Sequence, residues 1–545
     1  MRLHLTLAFI TFLLLVLTFR SSDRHRFTFE KVQALAQQQV KTPFVPLPDV
    51  VPPQLKKLTL DQERGIFWKD TYRLWRKKGL PFQVDFFHVL ASDPSAHTAP
   101  VINTVDHRGV HLLAYSPTFF NFLNLTFNPP LPSSLGYAGF YVRYPINKSN
   151  QLDGFFSVKG ASYFRAIAKD QVYGLSARAL GINTGLDNKP EEFPQFKEWW
   201  LHEPDSNATL FVLDALLDSP SVSGAYEFKI RPGATTSVDV HATLFFRQSV
   251  DWLGIAPFSS MYLYGENGGN HFGNFHPEIH DSDGILINTG KDDWLWRPLE
   301  QATQLQLYKI ADENPKGFGL LQRDRDFQHY QDLDLNYNVR PSAWVTPHGN
   351  WGKGSVVLVH RPSNNTNVDN VALFWHPDQA PKAGDHLDLD YTIDFYMNDA
   401  SRPPLAYTKA TLVVNPAPPS APAPLSNTPT SGATSKPPVI APPPPSKPGD
   451  TTPVQFLVDF AGHGIENIPS QTPPYLYLHF NPPETVLRDW KIEKISYDNS
   501  WRATFTIIPF KRNVPTELHC RLLENTTPPS NAKPLSEEWN YTWHQ

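Results

Sequence analysis

Leu387, Leu389, Tyr391, Ile393 and Phe395 alternate without a break with Asp388, Asp390, Thr392 and Asp394. A period of two cannot serve a helix of 3.6 residues per turn, which would scatter the acids over the apolar face. It fits a strand with one buried face and one wet face. Apolar runs at 243–246, 355–359 and 371–375 read as further strands, and long helical periodicity is not seen. Aromatics at 13%, charged residues at only 19% and 53 prolines suit sheets joined by many turns. The expected fold is all-β, with a large antiparallel β-sandwich over residues 23–414.

Two segments interrupt this pattern. Arg2 and His4 precede a mostly apolar run from Leu5 to Phe19, and charge returns at Arg20. Residues 1–22 therefore read as a signal peptide or a signal anchor, slightly short for a spanning helix. From Asn415 the composition collapses into Pro, Ala, Ser and Thr, so 415–451 reads as an extended proline-rich linker. Alternation resumes at Val454, Phe456, Val458 and Phe460, and 452–545 is expected to form a small immunoglobulin-like sandwich. Near the N-terminus, Thr59 and Gln62 match a capping box ahead of a stretch holding Phe67, Tyr72, Leu74 and Trp75.

Composition excludes more than it assigns. A net charge of −5 gives no electrostatic reason to expect nucleic acid. The single cysteine, Cys520, permits no intrachain disulfide and suggests no nucleophile. Polar chemistry is densest at 264–298 and 317–375. His276, Glu278 and His280 would share one strand face, but no established zinc spacing is present, and no metal or cofactor is assigned. Asp281 or Asp283 can instead point into a polar cleft, and Asp369 stands in a polar loop just before an apolar strand. Glycosidic hydrolysis needs two such groups, an acid for the leaving oxygen and a carboxylate for water or the anomeric carbon.

The chain resembles the osmoregulated periplasmic glucan biosynthesis proteins G and D. The resemblance rests on GASYFRAIAKDQVYGLSARALGINTG at 160–185, EEFPQFKEWW at 191–200, HPEIHDSDG at 276–284, WLWRPL at 294–299 and RPSAWVTPHGNWGKGSVVLV at 340–359. It weakens after the linker, at VQFLVDFAG over 454–462, and RFTFEKVQALA at 26–36 matches the first helix of the family domain. It implies a galactose-mutarotase-like sandwich, a periplasmic location and inverting hydrolysis or transglycosylation of β-1,2-linked glucan. By the same resemblance Asp369, before VALFW, is the general acid and Asp281, in the HDS segment, is the base, linked to substrate by a water chain. Tyr330, Tyr337, Arg340 and Trp344 are expected to line the cleft. Burial beside Trp375 or a neighbouring carboxylate is expected to keep Asp369 protonated. The rival reading is a non-catalytic glucan-binding scaffold that assists a membrane glucan synthase, with residues beyond Asn415 dispensable for binding glucan.

Overall fold

The computed structural model describes residues 27–268, 275–414, 451–526 and 532–544. The expected signal or anchor at 1–22 and the proline-rich stretch 415–450 lie outside the described residues. Among the described residues no helix is long and apolar enough to cross a membrane.

The fold is an all-β sandwich. Among the described residues a ten-stranded sheet and a fourteen-stranded sheet carry most of the chain. Their facing sides share one core, in which Phe86, Phe140, Phe156, Phe164, Phe258 and Trp375 of the first sheet meet Trp199, Tyr226, Phe228, Ile393 and Phe395 of the second. The alternating segment forms the strand His386–Tyr396, with Leu389, Tyr391, Ile393 and Phe395 buried. Its length is used on both sides, since it pairs antiparallel with Thr235–Phe246 and with Ser342–His348. The helix Phe29–Gln39 seals the outer side of the larger sheet, burying Val32 and Ala36 near Val105, Trp200 and Leu216. The capping box at Thr59 and Gln62 is present, but its helix stops at Arg64. Phe67–Trp68 then joins a two-stranded pair with Phe120–Asn121.

The domain boundary expected at residue 414 moves. Tyr407–Val414 pairs antiparallel with Val454–Ala461, from Tyr407 opposite Ala461 to Val414 opposite Gln455. Those strands continue into Trp501–Ile508 and Val486–Lys494 as one four-stranded sheet. Residues 415–450 thus connect neighbouring strands of a single sheet rather than two domains. Composition could not reveal this, because a hairpin excursion and an inter-domain linker have the same local chemistry. Replacing 415–450 with a four-residue turn should keep the fold. The roughly ninefold shorter loop should raise unfolding free energy by about 2 kcal/mol, as read from a denaturant midpoint.

The C-terminal sandwich is also not a detached module. Its other three strands, Tyr475–Asn481, Thr516–Leu523 and Glu538–Trp543, extend the fourteen-stranded sheet through parallel pairing of Leu295 with Glu538 and Trp296 with Trp539. A second core holds Leu286, Trp296, Leu321 and Trp344 together with Phe456, Trp501, Phe505 and Trp539.

Candidate active site

Two short strand pairings bring the candidate acids together. Ser260, ending the strand Leu253–Ser260, pairs with Val371, so Asp369 and Asn370 enter the sheet beside it. Tyr262 pairs with His280, so Asp281 emerges one residue later. Met261 and Tyr262 then hold both loops. The Asp281 amide donates to the Met261 carbonyl at 2.8 Å. Asn370 accepts from the Tyr262 amide at 2.9 Å through Oδ1 and donates to its carbonyl at 2.8 Å through Nδ2. A further bond from Nδ2 to the Arg361 carbonyl at 2.9 Å closes the 361–370 loop. Asn370→Ala removes all three while leaving both acids. It should lower kcat about tenfold with little change in KM, and Asn370→Asp should restore only the bond that Oδ1 accepts from the Tyr262 amide.

The electrostatics show that the acids share one environment. Asp281 is buried and ion-paired with Arg340, whose guanidinium lies 4.2 Å from the Tyr337 ring centroid. Burial pushes the Asp281 carboxyl upward, Arg340 opposes it, and the charge of Asp369 adds to the rise. Asp369 reaches solvent, yet the protein mass around it raises its carboxyl above the ordinary value. Arg165, Arg178 and Arg340 pull in the other direction. Trp375 is not the cause, because it is fully buried on the inner side of the sheet.

The surroundings of these groups come from the outer face of the ten-stranded sheet. Cross-strand partners run Asp85–Tyr141, Tyr141–Ser157 and Ser157–Arg165. The Nε of Arg165 donates to Ser176 Oγ at 2.7 Å, Ser176 pairs with Ser259, and Ser259 pairs with Ala372. The intervening residues Phe86, Phe140, Phe156, Phe164, Ala177, Phe258 and Leu373 all enter the core. With neighbouring strands about 4.8 Å apart, this polar row extends roughly 30 Å. Tyr163 and Arg178 form the adjacent pair, with the guanidinium 5.1 Å from the ring centroid. Sequence reasoning quoted Tyr163, Arg165 and Arg178 within a motif without assigning them roles. The available signal was Tyr163-Phe164-Arg165-Ala166, whose alternation sends Tyr and Arg to one side.

The four expected cleft residues divide. Arg340 and Tyr337 stand at Asp281, although Tyr337 is itself buried. Tyr330 is fully buried, accepts from Gln322 Nε2 at 2.9 Å and meets His280 edge-on, which makes it part of the supporting wall. Trp344 stacks on Trp294 at 5.7 Å within the core shared with the C-terminal strands. The expectation that all four line one cleft is corrected for these last two, because strand register turns Trp344 toward the second core.

His276, Glu278 and His280 also separate. His276 pairs with Asp332 at 3.1 Å, whereas His280 donates to Glu278 at 2.8 Å and lies 3.4 Å from Asp283. Glu278, His280 and Asp283 have ligand atoms close enough to hold a metal ion. Both ring nitrogens of His280 are already engaged, with Gln322 Oε1 at 3.0 Å on Nδ1. Burial disfavours the imidazolium, but Asp283 and Glu278 outweigh it and raise His280 to about 9. The imidazolium of His280 and the two carboxylates therefore form an internal charge cluster, in which His280 offsets the repulsion between Glu278 and Asp283. Asp283, raised to about 6 chiefly by burial, accepts the Arg323 and Asp324 amides and lies beside His280, whereas Asp281 pairs with Arg340.

A family described as periplasmic glucan biosynthesis protein matches residues 27–543. The chain belongs to this family. It is 37% identical over 521 residues to glucans biosynthesis protein G of Ralstonia nicotianae, covering 94% of this chain and 95% of that one. The protein of the same name from Sodalis glossinidius is 36% identical over 514 residues, covering 94% and 91%. That from Pseudomonas aeruginosa is 37% identical over 472 residues, covering 86% and 83%. Family membership thus spans both sandwiches, in keeping with the strand pairing that joins them.

Proposed function

We propose that the protein is a periplasmic enzyme that cleaves or transfers β-1,2-linked glucan with inversion. The observation that carries this reading is the convergence of Asp281 and Asp369 on Met261 and Tyr262, beside the arginine-bearing outer face of the sheet. Asp369, accessible and shifted toward its protonated form, acts as general acid on the glycosidic oxygen. Asp281 acts as base toward water, and the Arg340 ion pair favours the carboxylate that this role requires. Arg165, Arg340 and Tyr163 are suited to bonding sugar hydroxyls beside the acids, while Tyr330 acts through its contact with His280, next to Asp281.

Incubating the protein with linear β-1,2-glucan and following chain length and product anomer tests this reading. Shortened chains with the inverted anomer support hydrolysis, and redistributed lengths without new reducing ends support transfer. Binding with unchanged lengths would sink the catalytic reading and leave a glucan-binding assistant of a synthase.

A further inference from the structure

A surface groove lies beside Arg178, which touches its lining residues Glu191 and Phe193. It encloses about 390 Å³ and is lined by Phe44, Asn183, Glu191, Glu192, Phe193 and Gln195, among others. Phe193 leaves 47% of its surface exposed at the groove. Its ring centroid lies 5.3 Å from the Arg178 guanidinium, which is also 5.1 Å from the Tyr163 ring centroid. Arg178 is only 3% exposed, bonds Glu191 at 2.7 Å, and leaves its buried Nε without a hydrogen-bond partner. It thus touches both the groove lining, at Phe193 and Glu191, and the surface near the candidate acids, at Tyr163. Burial raises the Tyr163 hydroxyl most, and the charges of Glu191 and Asp369 both add to the rise. A second tie runs from Arg361, in the loop that bears Asp369, to Asp187 in the loop between Asn183 and Pro190, at 3.3 Å.

The lining combines the exposed ring of Phe193 and the half-buried ring of Phe44 with carboxylates and amides. Aromatic rings cover the apolar C–H faces of sugars, and carboxylates and amides satisfy their hydroxyls. Neither feature suits a purely apolar ligand, and the two glutamates disfavour an anionic one. We propose that the groove is an outlying subsite for a second stretch of the same glucan chain, with sugar rings on Phe193 and Phe44 and hydroxyls on Asn183, Glu192 and Gln195. The proposal rests on the glucan reading above but not on catalysis. The groove rewards long chains, and short oligosaccharides held in the cleft alone gain nothing from it.

The test uses the full-length Asp369→Asn protein, so that turnover cannot deplete the ligand, and linear β-1,2-gluco-oligosaccharides fractionated by length. Titration calorimetry should show affinity stepping up once chains are long enough to reach from cleft to groove. Phe193→Ala should remove that step, a loss of about tenfold for long chains, while short-chain affinity is unchanged. Phe193→Tyr should restore it. Equal weakening for short and long chains would overturn the subsite, since it would show Phe193 acting only through Arg178. Unchanged long-chain affinity would overturn it as well, as would the absence of binding at any length. If the otherwise wild-type protein binds glucan in this stepped manner without turnover, catalysis fails and the subsite stands.

Discussion

Asp369→Asn is expected to reduce β-1,2-glucan cleavage by about 100- to 10,000-fold, the range that a positioned general acid supplies. The amide keeps the shape of the side chain but has no acidic proton to give to the departing oxygen. Because Asp369 reaches solvent, the variant should fold with an unchanged melting temperature. The pH dependence makes the role specific. Activity should fall as pH rises through the deprotonation of Asp369. That limb should lie above the position of an unperturbed aspartate, because the protein mass around the group raises it more than Arg165, Arg178 and Arg340 lower it. The residual activity of Asp369→Asn should lack the limb. Reducing-end release over a pH series measures both effects, and a variant with wild-type rate and profile would remove Asp369 from the mechanism.

The largest stability effect is expected at Glu537. Its carboxylate is wholly buried, holds the Arg323 guanidinium through contacts of 2.6 and 2.9 Å, and accepts the Thr408 amide at 2.7 Å. Arg323 lies 3.6 Å from the Trp296 ring centroid, beside the parallel pairing of Trp296 with Trp539. Glu537→Ala leaves that guanidinium without its counter-charge in a desolvated place and should cost about 3–5 kcal/mol. Urea denaturation read at the tryptophans checks this, and a change under 1 kcal/mol would show that water or a neighbour compensates. The same contacts predict that a chain ending at Val414 loses soluble expression, since Trp296 and Trp344 would be uncovered. The C-terminal strands share a core and a sheet with the larger sandwich, so removing residues beyond Asn415 is expected to cost glucan binding together with the fold.

The candidate site was legible in part. Asp281 and Asp369 were found through motif resemblance, since each stands alone in a polar loop, where an Asp more often bonds its own backbone. Nothing local shows that Met261 and Tyr262 join their loops, because that requires pairing residues 108 positions apart. Arg165 and Arg178 escaped notice for a related reason. A basic residue in a strand is ordinary, and only the order of neighbouring strands stacks Arg165 with Tyr141, Ser157 and Ser259 into one row and sets Arg178 beside it. Trp344 misled because an aromatic near an arginine suits a sugar cleft and a core equally well.

By itself the sequence determined the all-β class, the individual strands and the family. The strand His386–Tyr396 needed nothing beyond its own alternation, because which faces are wet and dry is written residue by residue. The tertiary structure decided what the strands pair with. It joined Tyr407–Val414 to Val454–Ala461 across the proline-rich stretch, and Trp296 to Trp539 across the two sandwiches. Strand register depends on hydrogen bonds between distant segments and on the one core they can fill together, and neither has a local signature.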